Sequence, residues 1–409
     1  MTSTKDAGRT VDHPSGDGRV RVDGGRPWPI TLDNWQDAPF SRWAFAHAEE
    51  IVPTATVRRA GPAAPRETVP ETAGDAALGR LPVPFGGTEV PLDDFLAASF
   101  ADAFVVSDRS GVRYESYRGV MDRRRRHLLM SVSKSLCGLL VGQLAGEGLL
   151  DPAEPAAAYV PELAGSAFGT ATLQQVLDMT VAVEYSEDYH DPASHVQQQD
   201  RLAGWRPRLA GDPDNAFELL ASLRASGRHG ERFQYCSAAT DVLAWVAERV
   251  TGTRYADLLS RRLWQHLPVA DDAQITVDPA GFAFANGGMS TTARDLGAVG
   301  RLVLDHGLVG DRRVVPAGWL AATTSGGDHQ AARGTVFQGI HPRGSYRNHW
   351  WVTGDDHGSV YATGIYGQFL WIDPTADVVV VKFSSLPVAT TADWSRAHAR
   401  VFRRICESL

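Results

Sequence analysis

Lysine is nearly missing from this chain. Of its 40 basic side chains only Lys5, Lys134 and Lys382 are lysines, so arginine carries almost all of the positive charge. Cysteine is scarce as well. Cys137, Cys236 and Cys406 make an odd and small set, which excludes a disulfide framework. No long uncharged apolar run occurs, which argues against a membrane partner. The stretch Met1 to Trp28 is polar and lacks the apolar core of a secretory leader, so a cytoplasmic protein is expected. A basic excess is missing too. The net charge is −8 and the pI near 5.9, the wrong balance for a general nucleic-acid binder. The thirteen histidines are scattered and join no Cys or Glu motif at metal-ligand spacing, so no metal is expected. What remains is the composition of a globular protein, 43% hydrophobic and 22% charged over 409 residues. That length suits about two to three average domains, or one large catalytic unit with an insertion.

Strands are expected at both ends of the chain and helices between them. Residues 1–30 read as a flexible lead. Residues 52–90, rich in Pro, Ala, Gly and Thr, read mostly as loop. Ala103 to Val106 and Val112 to Tyr117 form a hairpin across Asp108-Arg109-Ser110-Gly111. A helix from Ser131 ends near Gly146 or Gly148. Thr172 to Met179, Ser237 to Val250, Tyr255 to Leu267 and Thr292 to Leu304 carry helical stripes or caps. Two long stretches, 181–212 and 268–291, look irregular and functional because they hold many polar and aromatic residues. Strands return at His349 to Val352, Ser359 to Thr363, Gln368 to Ile372 and Val378 to Phe383, and Ala392 to Leu409 closes the chain as a helix. The economical fold is α/β of the α+β kind. One antiparallel sheet, drawn from about 31–130 and 335–409, is flanked by helices and interrupted by a mainly helical part at about 150–330.

Chemistry concentrates at Met130-Ser131-Val132-Ser133-Lys134. Ser-x-x-Lys at a helix start puts both side chains on one face. The spacing recurs by chance in many proteins. Here the flanks are apolar and the lysine is one of few. A lysine in apolar surroundings gives up its proton readily and can act as base for a neighbouring hydroxyl. The free N–H of Ser131 and the helix dipole favour a developing anion. Ser133 and Ser135 stand three residues ahead of no lysine. Two further elements fit such a centre. Phe233-Gln234-Tyr235-Cys236-Ser237 offers Tyr235 as a proton donor to a leaving group. Thr363-Gly364-Ile365-Tyr366-Gly367 offers a Gly-containing strand edge, where the N–H of Ile365 serves as a second oxyanion donor. Cys137 and Cys236 read as small packing residues, and Arg123 to Arg126 as a solvated loop.

These three elements, in this order, resemble the serine β-lactamase and penicillin-binding-protein superfamily, whose signature is Ser-x-x-Lys, Tyr-x-Asn and Lys-Thr-Gly. The chain departs from it in having Ser237 for the Asn and Thr363-Gly364-Ile365 for the Lys-Thr-Gly. Both departures point away from β-lactams and toward the esterase and amidase members of the class C branch. The segment Gly287 to Leu296 also looks like one that those enzymes carry. Within the branch the chain resembles the nylon-oligomer hydrolases, through His127 to Gly138, Glu187-Asp188-Tyr189, Asp191 to Ser194, Ala203-Gly204-Trp205, Phe233 to Ser237 and Trp350-Trp351. The resemblance runs from about Trp35 through the C-terminal strands.

The resemblance implies a β-lactamase-like fold over 31–409 and an acyl-enzyme mechanism without cofactor. Ser131 would be the nucleophile, Lys134 its base, Tyr235 the proton relay, and Ser131 and Ile365 the oxyanion N–H donors. Tyr189 would bond the amide nitrogen. Asp200 would hold the ammonium end of a substrate, although by itself it reads as a solvated acid. Asn286 would tune activity on the amide, and Trp205 and Trp351 would line the cleft, Trp205 on a loop that closes. Ser237 and Gly364 complete the substrate-binding set. The expected substrates are short linear amides of the 6-aminohexanoate-dimer type and carboxyl esters. A plain carboxylesterase and a non-catalytic binding protein on the same scaffold are the alternatives. A small-molecule substrate is the expected partner, and a homodimer is left open.

Overall fold

The computed structural model describes residues 29–61 and 72–409; most of the expected N-terminal lead lies outside them. The central sheet takes strands from both ends of the chain: β1 (Thr72–Gly74), β2 (Ala101–Asp108), β3 (Gly111–Tyr117), β4 (Ser345–Arg347), β5 (Trp350–Val352), β6 (Val360–Gly364), β7 (Gln368–Asp373) and β8 (Val378–Ser384). Their order across the sheet is β4-β5-β6-β7-β8-β2-β3-β1. Every neighbouring pair is antiparallel. The seam joining the two ends is β8 against β2, where Val381 faces Val105 and Val380 faces Val106.

The valine run of β8 is apolar throughout because both faces of the sheet are covered. Successive side chains on a strand alternate between faces. Val378 and Val380 accordingly pack with Phe104, Trp371, Val401, Phe402 and Ile405 under the closing helix, while Val379 and Val381 join the larger core beneath the helical part. Helices that bear on the site or the sheet include α1 (Val132–Gly146), α2 (His195–Leu202), α3 (Ser237–Thr251), α4 (Ala293–Leu304) and α5 (Ala392–Cys406), which closes the chain. α4 lies across β2, β7 and β8. α1 is buried from Val132 to Leu144, and its few polar side chains, Ser133, Lys134, Ser135 and Gln143, are each hydrogen-bonded inside the fold. Its Gly138 is required by a close approach: a Cβ there would sit 2.2 Å from the Asn348 carbonyl oxygen.

A smaller antiparallel sheet holds the segment that leads into Ser131. It runs Thr54–Val57, Ala273–Thr276, Met289–Thr291, His127–Leu128. Two expectations change here. Residues 52–90 are not mostly loop among those described: Thr54–Val57, β1, a helical turn Ala76–Gly79 and a hairpin of Pro82–Phe85 with Thr88–Pro91 occupy them. The stretches 181–212 and 268–291 are not irregular throughout, since α2 lies in the first and two strands of the small sheet in the second. Those strands are too short to show a period, and α2 is Gln-rich, held by its Ser194 cap on the Gln197 N–H.

The arginine run is also not a solvated loop. Arg123 pairs with buried Glu115, Arg124 with Asp271, and Arg126 with Glu49. Glu115 accepts Arg294 as well, at 2.7 and 2.8 Å. The run pins the loop before Ser131 to three separate segments. Among the described residues no helix is long and apolar enough to cross a membrane.

Candidate active site

The chain enters the site from the strand His127–Leu128, turns at Met130 and starts α1 at Ser131. Met130 has φ +49, a left-handed conformation that costs a non-glycine residue of order 1–3 kcal/mol. Packing over-determines it: Met130 is buried with Trp35, Phe45, Trp205 and Phe284. The turn delivers the Ser131 hydroxyl, half-buried, to the pocket.

Lys134 Nζ lies 2.9 Å from Ser131 Oγ and donates to the Asn286 carbonyl oxygen at 2.7 Å. The lysine is 1% exposed. Burial lowers its pKa, against the opposing pull of Glu187 and Asp241. The neighbouring serines are engaged elsewhere: Ser133 Oγ accepts the Met289 N–H, and Ser135 donates to the His349 carbonyl. Tyr235 precedes α3, and its ring stacks on Trp351 at 5.8 Å between centroids and 13° between planes. Lys134 Nζ is 5.2 Å from the centroid of the same ring. The Tyr235 hydroxyl bonds to Ser131, and burial pushes its pKa up, so it keeps its proton.

Gly364 ends β6 beside the nucleophile turn. A Cβ on it would lie 2.6 Å from the Leu129 carbonyl oxygen and 3.0 Å from the Ser131 nitrogen. Glycine therefore lets the Gly364–Ile365 peptide lie alongside the Ser131 N–H. The turn beyond is fixed by Gln368, whose side-chain amide donates to the Ile365 carbonyl at 3.2 Å and to the Ser384 carbonyl at 2.6 Å.

Ser131 opens onto two spaces. The outer one is a pocket of about 350 Å³ whose walls include Tyr189, Tyr235, Trp351, Tyr361, Phe337 and Ile365. The inner one is a narrow crevice lined by Tyr189, Asp200, Trp205, Ser237, Asn286 and Ile365. All of the residues expected at the site reach one space or the other, apart from Lys134, which sits beneath Ser131. Asp200 is not the solvated acid that its polar neighbours suggest. It is 6% exposed, pairs with Arg206 Nε at 3.4 Å, and burial raises its pKa to about 6. Trp205 walls the crevice from below, edge-on to Trp35 and Phe284, with its indole N–H on Thr276 Oγ1 at 3.0 Å. Ser237 donates its hydroxyl to Glu187 at 2.6 Å.

Two carboxylates carry more of the site than their sequence context suggests. Glu187 accepts the Tyr189 hydroxyl at 2.6 Å, the Ser237 hydroxyl and the Ser237 N–H. In the sequence it stands only in the Glu187-Asp188-Tyr189 segment of the resemblance, with no role of its own. Asp241, buried on α3, accepts both N–H groups of Asn286. Among the described residues no group of three or more His, Cys, Asp and Glu side chains is placed to hold a metal ion.

Comparison with known proteins bears on the family and the fold. The profile of the Beta-lactamase family matches residues 93–401. The chain is 48% identical, over 98% of each sequence, to a 6-aminohexanoate-dimer hydrolase of Paenarthrobacter ureafaciens. A solved structure from Bacillus anthracis, provisionally named a 6-aminohexanoate-dimer hydrolase, is 28% identical and superposes with a TM-score of 0.84 over 93% of this chain and 97% of that one. A family VIII carboxylesterase, 16% identical, shares the fold with a TM-score of 0.58 over 76% of this chain and 95% of its own. The chain belongs to the beta-lactamase family and is a hydrolase.

Proposed function

We propose that the protein hydrolyses short linear amides with a free amino end, of the 6-aminohexanoate-dimer type, and carboxyl esters, through an acyl-enzyme on Ser131. The contact of Lys134 Nζ with Ser131 Oγ at 2.9 Å carries this reading. Neutral Lys134 takes the serine proton as Oγ attacks the carbonyl carbon. The oxyanion forms against the Ser131 and Ile365 N–H groups, whose alignment before reaction is what makes such donors effective. Tyr235 gives a proton to the leaving nitrogen or oxygen, and water then reverses the sequence to free the acid. Tyr189 bonds the scissile nitrogen. Asp200, in the wall of the inner crevice, pairs with the ammonium, exchanging Arg206 for it.

That ion pair favours a second reading. With Arg206 on Asp200, the crevice is already neutralised, which suits a carboxylesterase with little amidase activity. Amine release from the linear dimer, measured beside ester turnover for wild type and Ser131→Ala, separates the two. The amidase reading expects both activities in the wild type and neither in Ser131→Ala. Ester turnover with no amine above background leaves the esterase. A wild type that a fluorophosphonate fails to label at Ser131 would leave a binding protein.

A further inference from the structure

The lysine beneath Ser131 is held by a carbonyl, and the residue that owns this carbonyl is gripped from behind. Asn286 accepts Lys134 Nζ with its backbone oxygen at 2.7 Å. The same residue donates twice to one carboxylate: its backbone N–H to Asp241 Oδ1 at 3.1 Å, and its side-chain Nδ2 to Oδ2 at 2.7 Å. Gln199 Nε2 also donates to Oδ2, at 2.8 Å. Asp241 is 2% exposed and stands one turn beyond Ser237 on α3. It lines neither of the spaces that Ser131 opens onto. A carboxylate taken this far from water is costly unless a positive charge or hydrogen bonds compensate it. Burial raises its pKa to about 7, and the Asn286 hydrogen bonds and, when it carries a proton, Lys134 oppose that rise.

We propose that Asp241 is a positioning residue for the base: through the Asn286 peptide it holds Lys134 against Ser131, and its charge offsets the ammonium formed when the lysine takes the serine proton. This rests on Ser131 being the nucleophile and Lys134 its base. In the step concerned, the Ser131 O–H bond breaks and an N–H bond forms on Lys134. The freed Oγ electron pair bonds the substrate carbonyl carbon, and the carbonyl π pair becomes the oxyanion. A positive charge appears on a side chain shut away from water, where an opposite charge nearby acts strongly. The arrangement parallels the aspartate that orients and charge-balances the histidine of a Ser-His-Asp triad, with a peptide interposed.

Several charged or titratable groups face Lys134. Glu187, Asp241, Cys236 and Asp200 raise its pKa. His349 faces it uncharged, its own pKa pulled down to about 3 by burial. Glu187 is taken up by Tyr189 and Ser237 and Asp200 by Arg206. Asp241 is the carboxylate tied to the carbonyl that holds the lysine. A carboxylate favours the ammonium form, so Asp241→Asn lowers the pKa of Lys134. The acid limb of kcat/KM then moves to lower pH, while a less basic and less well placed lysine lowers the plateau.

The test measures the pH dependence of kcat/KM on a short ester, together with the rate of Ser131 labelling by a fluorophosphonate, in wild type, Asp241→Asn and Gln199→Leu. For Asp241→Asn both acid limbs move down by roughly one pH unit, and kcat falls about 10–100-fold while KM stays within about threefold. Gln199→Leu takes one hydrogen bond from the carboxylate and moves the limbs the same way by less. An Asp241→Asn protein that melts like wild type and keeps limb and plateau overturns the inference. If that variant does not fold, an unmoved limb in Gln199→Leu overturns it. Wild type left unlabelled at Ser131 overturns the nucleophile assignment and this inference with it. Normal wild-type labelling with unmoved variants overturns this inference alone.

Discussion

On the proposed mechanism, Tyr189 separates two kinds of hydrolysis. An amide nitrogen leaves poorly unless something holds and protonates it, whereas an alkoxide from an ester needs less help. The Tyr189 hydroxyl is aimed by its bond to Glu187. Tyr189→Phe is expected to lower turnover of the linear amide dimer about 100-fold and to leave ester turnover within about threefold; parallel assays of amine and acid release check it. Asp200 adds a pH signature. Its pKa is raised to about 6 by burial, so it is charged above that pH and neutral below. KM for an amide with an ammonium end should therefore climb as pH falls through about 6, and KM for an ester lacking that end should not. Ser131, Lys134 and Tyr235 were legible in the sequence because each sits in a short motif with its own local logic. Glu187 and Asp241 were not. Their partners Ser237 and Asn286 lie 50 and 45 residues away, and no local pattern announces a bond made across folded chain.

At the scale of elements, the edge of β6 is the part most sensitive to a single atom. Gly364→Ala would drive a methyl group to 2.6 Å from the Leu129 carbonyl and 3.0 Å from the Ser131 nitrogen, parting the two N–H groups proposed to hold the oxyanion. The expected loss is about 100- to 1,000-fold in kcat, with a matching loss of affinity for a boronic acid that mimics the tetrahedral intermediate. Labelling of Ser131 by a small fluorophosphonate should fall in step. Unchanged boronate affinity in a folded variant would contradict the oxyanion role of this edge. The hairpins at Ala101–Asp108 with Gly111–Tyr117, and at Gln368–Asp373 with Val378–Ser384, were readable because long apolar or β-branched runs flank strong turn residues. The strands Thr54–Val57, Ala273–Thr276 and Met289–Thr291 were not. At three or four residues each, they owe their pairing to tertiary position and not to any period of their own.

The whole molecule places both of its described lysines in the core, which the scarcity of lysine hinted at for Lys134 alone. Lys382 lies on β8, 0% exposed, at the seam where the two ends of the chain meet. Its Nζ donates to the Ser99 carbonyl at 3.1 Å and the Gly367 carbonyl at 3.4 Å, tying the N-terminal part of the sheet to the turn that carries Ile365. Burial lowers its pKa to about 7, with Asp102 opposing and Arg118 assisting; His398, against the same lysine, is kept neutral by burial. The sign of the linkage follows. Between about pH 7 and the ordinary lysine value of 10.5 the unfolded chain holds this proton and the folded chain does not, so stability rises with pH across that window. Lys382→Met removes the titration and keeps much of the volume. Thermal unfolding at pH 7 and pH 9 should show a larger gain for wild type than for Lys382→Met, with the difference between the two proteins isolating this group from all other titrations. Parallel gains in both proteins would mean that Lys382 is charged in the fold. The core would then have to supply an anion to it, and Asp102, within its field and already bound to Arg42 at 3.0 Å, would have to divide itself between two cations.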